Sequence, residues 1–160
     1  MRELLAFFVG MVVLAASAAY AGTDSGSCAS APQIGAQMRD MVNAERKARG
    51  LPKLSADQRL DRAAQAHACD MARKGYFSHT EPNGSTATIR VKQAGYKSCV
   101  TAENISYGWR ELPQAMTDLI NSPGHRANIL RANVRAIGVG YVPRQGKAGP
   151  WYVQVFAKPC

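Results

Sequence analysis

The fold class the sequence predicts is α+β, a layered domain with its helices first and its strands last. Three observations predict it. Apolar residues recur with a 3.6-residue period through most of residues 33–74. The pattern then changes near the C-terminus, where residues 136–142 and 150–157 are rich in Val, Ile, Tyr, Trp and Phe. No internal repeat appears anywhere in the 160 residues, a length that suits one packed core rather than a solenoid or two domains.

At the N-terminus, Arg2 precedes an apolar run over residues 4–16, broken only by Gly10, and then the small-residue pattern Ala19-Tyr20-Ala21. This is the pattern of a secretory signal over residues 1–21, too short to span a bilayer and pointing to a secreted or periplasmic chain with no transmembrane segment once cleaved. Residues 22–32, made of Gly, Ser, Thr and Ala with no periodicity, read as a flexible leader, and residues 33–160 as the domain. Cleavage takes away Arg2 and Glu3 together, so the net charge of +9 stays with the exported part. Such a balance draws a protein to anionic surfaces, including envelope polymers and lipid. The Lys and Arg residues are scattered with no interleaved aromatics, which disfavours a nucleic-acid binder.

A first helix over residues 33–49 follows from the stripe Ile34, Met38, Met41, Val42 and Ala48, and Gly50 ends it. Ser55 and Gln58, three apart, suggest a capping box for a second helix reaching Lys74, with Gly75 as its stop. The buried stripe of that helix is Leu60, Ala64, His67, Ala68 and Met71, so His67 reads as a core histidine held by a nearby carbonyl rather than as a ligand. A third helix is expected over residues 86–94, a strand over residues 100–107, and a fourth helix from Pro113. The segments 136–142 and 150–157, separated by Arg144-Gln145-Gly146-Lys147-Ala148-Gly149, form a β-hairpin.

The four cysteines, Cys28, Cys69, Cys99 and Cys160, all lie after the signal, where oxidation is permitted, and their even number predicts two disulfides. Three pairings are open. Tying both chain ends together favours Cys28 with Cys160, and so Cys69 with Cys99. There is no Cys-x-x-Cys, so the cysteines are not a zinc knuckle.

The tight turn Ser122-Pro123-Gly124 sets His125 at the start of a short helix. His79 and Glu103 stand upstream in turn and strand contexts. Two imidazoles and one carboxylate suit a borderline-soft divalent ion, so His79, His125 and Glu103 are candidate ligands for zinc or another divalent metal, with Glu103 the alternative candidate for a catalytic base. Asn104 and Ser122 are candidate cleft residues beside them. Tyr76, Tyr107 and Trp109 suit either the cleft or the core. No Gly-x-Ser-x-Gly elbow accompanies Ser78 or Ser122.

The series Asn43-Ala44-Glu45-Arg46, Gly50-Leu51-Pro52-Lys53-Leu54, Phe77-Ser78-His79, Ala102-Glu103-Asn104-Ile105, Ser122-Pro123-Gly124-His125-Arg126 and Ile137-Gly138-Val139-Gly140 resembles the bacterial branch of the CAP superfamily. That superfamily takes in cysteine-rich secretory proteins, antigen 5 and plant pathogenesis-related proteins. The resemblance implies a three-layer α-β-α sandwich around an antiparallel sheet, the SCP domain. It also implies a cleft lined by two histidines and two glutamates, of which His79, Glu103 and His125 fill three places. Ser122 stands where many members carry the second glutamate, Leu119 where many carry tryptophan, and Ala102 where glycine is usual. With one carboxylate missing, the expected function is a secreted, non-catalytic binding module for an envelope component, lipid or other small ligand. The alternatives are a metal-dependent hydrolase of extracellular peptides or esters and, less favoured, a basic nucleic-acid binder.

Overall fold

A computed structural model describes Cys28 and residues 31–160. The expected signal over residues 1–21 and most of the leader lie outside the described residues. The elements run α1 (Pro32–Lys47), β1 (Ser55–Ala56), α2 (Gln58–Lys74), α3 (Ala87–Gln93), β2 (Ser98–Tyr107), α4 (Leu112–Asn121), α5 (Pro123–Ile129), β3 (Ala136–Val142) and β4 (Trp151–Pro159). The strands form one sheet in the order β1-β3-β4-β2, antiparallel except where β1 runs parallel to β3.

The C-terminal hairpin is the spine. Along β4, Trp151, Val153, Val155 and Ala157 face the core beneath α2 and α3, while Tyr152 and Phe156 face the core beneath α1, α4 and α5. Period-2 alternation with both sets buried explains why the segment is apolar throughout: a central strand covered on both faces has no solvent side. The three-layer α-β-α sandwich follows directly, with one helical layer on each face of the sheet.

Two local expectations need correction. Ser55 is no helix cap; it belongs to the two-residue strand β1, which pairs with Ala136 and Ile137, and the cap of α2 is Asp57, whose side chain accepts from the Arg59 amide at 2.9 Å. Gly75 does end α2, in the left-handed conformation at φ 69°. The second correction concerns the cysteines. The disulfide joins Cys99 to Cys160, with Cα atoms 4.8 Å apart, whereas Cys28 lies beside Cys69. The expected pairs Cys69–Cys99 and Cys28–Cys160 fail for a topological reason: β2 and β4 are antiparallel neighbours, with Ser98 opposite Pro159, so the start of one strand meets the end of the other.

Two long-range clamps hold the helices that carry the site. Asn43 of α1 donates to the Leu54 carbonyl at 3.2 Å and accepts from the Leu54 amide at 2.8 Å, fixing the connector before β1. Arg46, fully buried, donates to the carbonyls of Pro52, Ile129 and Arg131 at 2.8 to 3.0 Å. The Ile129 carbonyl belongs to the last turn of α5, where a cation also complements the helix dipole. The Asn-Ala-Glu-Arg stretch of α1 thereby holds the C-terminal end of the helix whose first turn carries His125.

Candidate functional site

The site forms along β2, at the edge of the sheet. Glu103 lies midway along that strand and points toward the α2 and α3 layer, its side chain only 3% exposed. A buried carboxylate requires partners, and two cover it. Arg90 of α3 donates to Oε2 at 2.7 Å, and Nδ1 of His79 donates to Oε1 at 2.9 Å. Arg90 is itself buried and gives its other hydrogen bonds to the carbonyls of Ser85, at 2.8 Å, and His79, at 3.1 Å. One guanidinium thus holds both Glu103 and the loop bearing His79.

Beneath this pair sits His67. Its Nε2 lies 3.0 Å from the Ser78 carbonyl, and because a carbonyl only accepts, that nitrogen carries the proton. Burial lowers the His67 pKa and nearby Arg90 lowers it further, against the opposing pull of Glu103 and Glu81. A core histidine held by a carbonyl through Nε2 is therefore what the structure contains, its Nδ1 buried without a hydrogen bond among the described residues. Glu81 completes the cluster, with Oε1 3.5 Å from His67 Nδ1 and 3.6 Å from Arg90 Nη1. The second carboxylate that the sequence lacks at Ser122 is supplied to the cluster by Glu81, two residues beyond His79.

On the opposite side of the strand edge, α5 presents His125 in its first turn. Burial lowers its pKa, and the neighbouring charge of His79 lowers it further, against Asp118. His125 Nδ1 is buried with no hydrogen-bond partner among the described residues. Asn104 and Asn128 anchor this helix to the strand. Asn104 donates to the His125 carbonyl at 3.0 Å and to Gln154 Oε1 at 3.1 Å, while Asn128 donates to Asn104 Oδ1 at 3.0 Å and to the Glu103 carbonyl at 3.2 Å.

His79 and Glu103 meet directly, and His125 lies on the helix bonded to the next residue of the strand, Asn104. Among the described residues no group of three His, Cys, Asp or Glu side chains is arranged to hold a metal ion. Both oxygens of Glu103 are engaged, one of them by a guanidinium, so the carboxylate serves as an orienting partner of His79. Its bond to Nδ1 leaves Nε2 of neutral His79 with its lone pair, the arrangement in which an outer carboxylate fixes the tautomer of a metal-binding histidine.

Asn104 is fully buried and holds α5 from beneath instead of lining the cleft, and Ser122, half-buried, joins α4 to α5. Tyr76 packs against His67 and donates to Asp70 at 2.7 Å. Tyr107 and Trp109 are exposed, as is Phe77, whose ring lies 5.7 Å from that of Tyr107. The site residues missed in the sequence are Arg90, Glu81 and Asn128. Arg90 left one signal, its place beside Val91 on the inward side of a short helix.

A three-layer α-β-α domain with a histidine and glutamate cluster at one sheet edge narrows the class of protein, and the sequence comparison identifies the family. The pattern of the cysteine-rich secretory protein family, CAP, matches residues 39–156, and the chain belongs to that family. It is 38% identical over 103 residues to the protein YkwD of Bacillus subtilis, covering 64% of this chain and 40% of that one. It is 33% identical over 122 residues to the membrane protein YlbC of the same organism, covering 76% and 34%. The chain therefore spans well under half the length of these curated relatives. An extracellular protein with an SCP domain from Bacillus anthracis superposes with a TM-score of 0.73 at 29% identity, over 79% of this chain and 41% of that one. An outer surface protein of Borrelia burgdorferi superposes equally well, at 0.73, with 22% identity over 78% and 92%, which shows the shared fold. Among the described residues no helix is long and apolar enough to cross a membrane.

Proposed function

We propose that the chain is an extracytoplasmic binding domain whose cleft takes a divalent cation, zinc foremost, on His79 and His125, and whose basic surface engages an anionic envelope or lipid ligand. The observation that carries this reading is the state of Glu103. Its two oxygens are occupied by Arg90 and His79, so it is not a free general base, and Glu81 is drawn into the same cluster. A hydrolase needs a group able to take up and release a proton at the substrate; a binding cleft needs only oriented donors. An ion held by the imidazoles gives the cleft a positive centre suited to a carboxylate or phosphate group. Phe77 and Tyr107, exposed close by along the chain, add apolar surface for the remainder of a ligand. The net charge of +9 supplies long-range attraction to anionic polymers.

Calorimetric titration with zinc tests this on the wild type and the His79→Ala, His125→Ala and Glu103→Gln variants, with circular dichroism as the check on folding. The two histidine variants are expected to lose binding, and Glu103→Gln to weaken it about 10–100-fold, the usual effect of removing an outer-sphere partner. Uptake weakens on acidification, since only neutral imidazole ligates, and the lowered pKa of His125 carries its share of that loss below the ordinary histidine value. Wild-type affinity in both folded histidine variants refutes the metal site, and efficient zinc-dependent turnover of a peptide or ester refutes the binding role.

A further inference from the structure

We propose that Cys28 and Cys69 form a second disulfide, which pins the segment preceding α1 onto α2 in the oxidised protein. Cys69 is buried in the core beneath α2, and Cys28 packs against the same core. The Cys69 thiol donates to the Cys28 carbonyl at 3.4 Å. Gln65, one turn earlier on α2, brackets the pair, with Nε2 3.4 Å from the Cys28 carbonyl and 3.5 Å from Cys69 Sγ. The backbone of Cys28 is thus held in place by groups that do not depend on a bridge. Because the chain has four cysteines and Cys99 is joined to Cys160, Cys28 and Cys69 are the pair left, and neither can join the other two without opening that bond.

The chemistry follows from exposure. Burial raises the Cys69 thiol to about 11, with Cys28 beside it adding to the shift, so Cys69 is a poor first nucleophile. Cys28 is the more exposed of the two. Its thiolate attacks a low-molecular-weight or protein disulfide, forming a mixed disulfide and releasing one thiol. Cys69 then attacks the Cys28 sulfur and releases the second thiol. Two cysteine thiols and one external disulfide give the Cys28–Cys69 bond and two external thiols. The bridge closes a loop with a separation of 41 residues and anchors the chain at one end of a groove of ≈ 560 Å³ between α1 and α2, to which Ala31, Pro32 and Cys69 contribute walls.

The test is non-reducing peptide mapping of the full chain recovered from an oxidising compartment, alkylated with a maleimide in denaturant before reduction. The expected result is two linked peptide pairs, Cys28 with Cys69 and Cys99 with Cys160, and no alkylated cysteine. In the Cys28→Ser variant a single alkylatable thiol is expected, at Cys69, labelled in denaturant and protected in the folded protein. Alkylation of both Cys28 and Cys69 in wild type after equilibration with oxidised glutathione overturns the proposal. So does linkage of either one to Cys99 or Cys160 in wild type.

Discussion

The two sides of the sheet solve the problem of an open edge in opposite ways. Beyond β1, the outer edge of β3 is sealed by one helix at close range. Gly138 and Gly140 let α2 approach so near that a Cβ on either would overlap the backbone of Leu60 or Ala64. At that distance the helix's own side chains finish the ladder: Asp61 accepts from the Val139 amide at 2.8 Å, and Gln65 accepts from the Tyr141 amide at 3.0 Å and donates to its carbonyl at 2.9 Å. The edge at β2 is instead covered by polar groups gathered from α2, α3, α5 and the loop bearing His79. The close-packed edge spends its polar side chains on the strand's own amides and carbonyls, whereas the polar edge leaves side chains such as His79, 54% exposed, facing solvent. One edge is closed by a helix at backbone distance, and the other is covered by polar side chains that solvent still reaches.

The sharpest way to break that contrast is at the sealed edge. Gly138→Val drives a branched side chain into the α2 backbone, and neither partner has a flexible end to yield. The expected loss is at least ~4 kcal/mol, read as a collapse of the denaturant midpoint or failure to fold.

At the polar edge, Arg90→Met removes the cation from a buried carboxylate and leaves Glu103 uncompensated. Chemical denaturation should show a loss of roughly 3–5 kcal/mol, with the double variant Arg90→Met/Glu103→Gln recovering part of it. A loss below ~1 kcal/mol in the single variant means that water already reaches Glu103, and the contrast between the edges weakens.

The smallest effect concerns pH. His67 and His125 both have pKa values lowered in the fold, chiefly by burial. Below the ordinary value of 6.5 the unfolded chain takes up protons that the folded chain refuses. Stability is therefore complete above that pH and falls as pH drops toward the folded-state values. Thermal melts from pH 8 to pH 5 should show this decline, and His67→Gln should flatten it more than it lowers the plateau. A melting temperature that rises on acidification reverses the sign and removes both histidines as its cause.

Much of the fold was legible because its signals are local. The helical stripes, the αL stop at Gly75, the strand run at the C-terminus and the presentation of His125 by Ser-Pro-Gly depend on residues a few positions apart. The pairing of His79 with Glu103 was legible through the family resemblance, and His67 through its place in an apolar stripe. Tertiary structure alone decided the rest. Arg90 and Glu103 meet because α3 packs on β2; the disulfide joins Cys99 to Cys160 because β2 and β4 are antiparallel in one register; Ser55 is a strand residue because Ala136 lies beside it. Glu103 illustrates the division: its residue type marked the site, while the two partners that bind its oxygens and restrict its chemistry arrive from elements distant in the chain. Local propensity acts within a turn or two of backbone, but the partners of a buried charge are set by topology and register, which no short stretch encodes by itself.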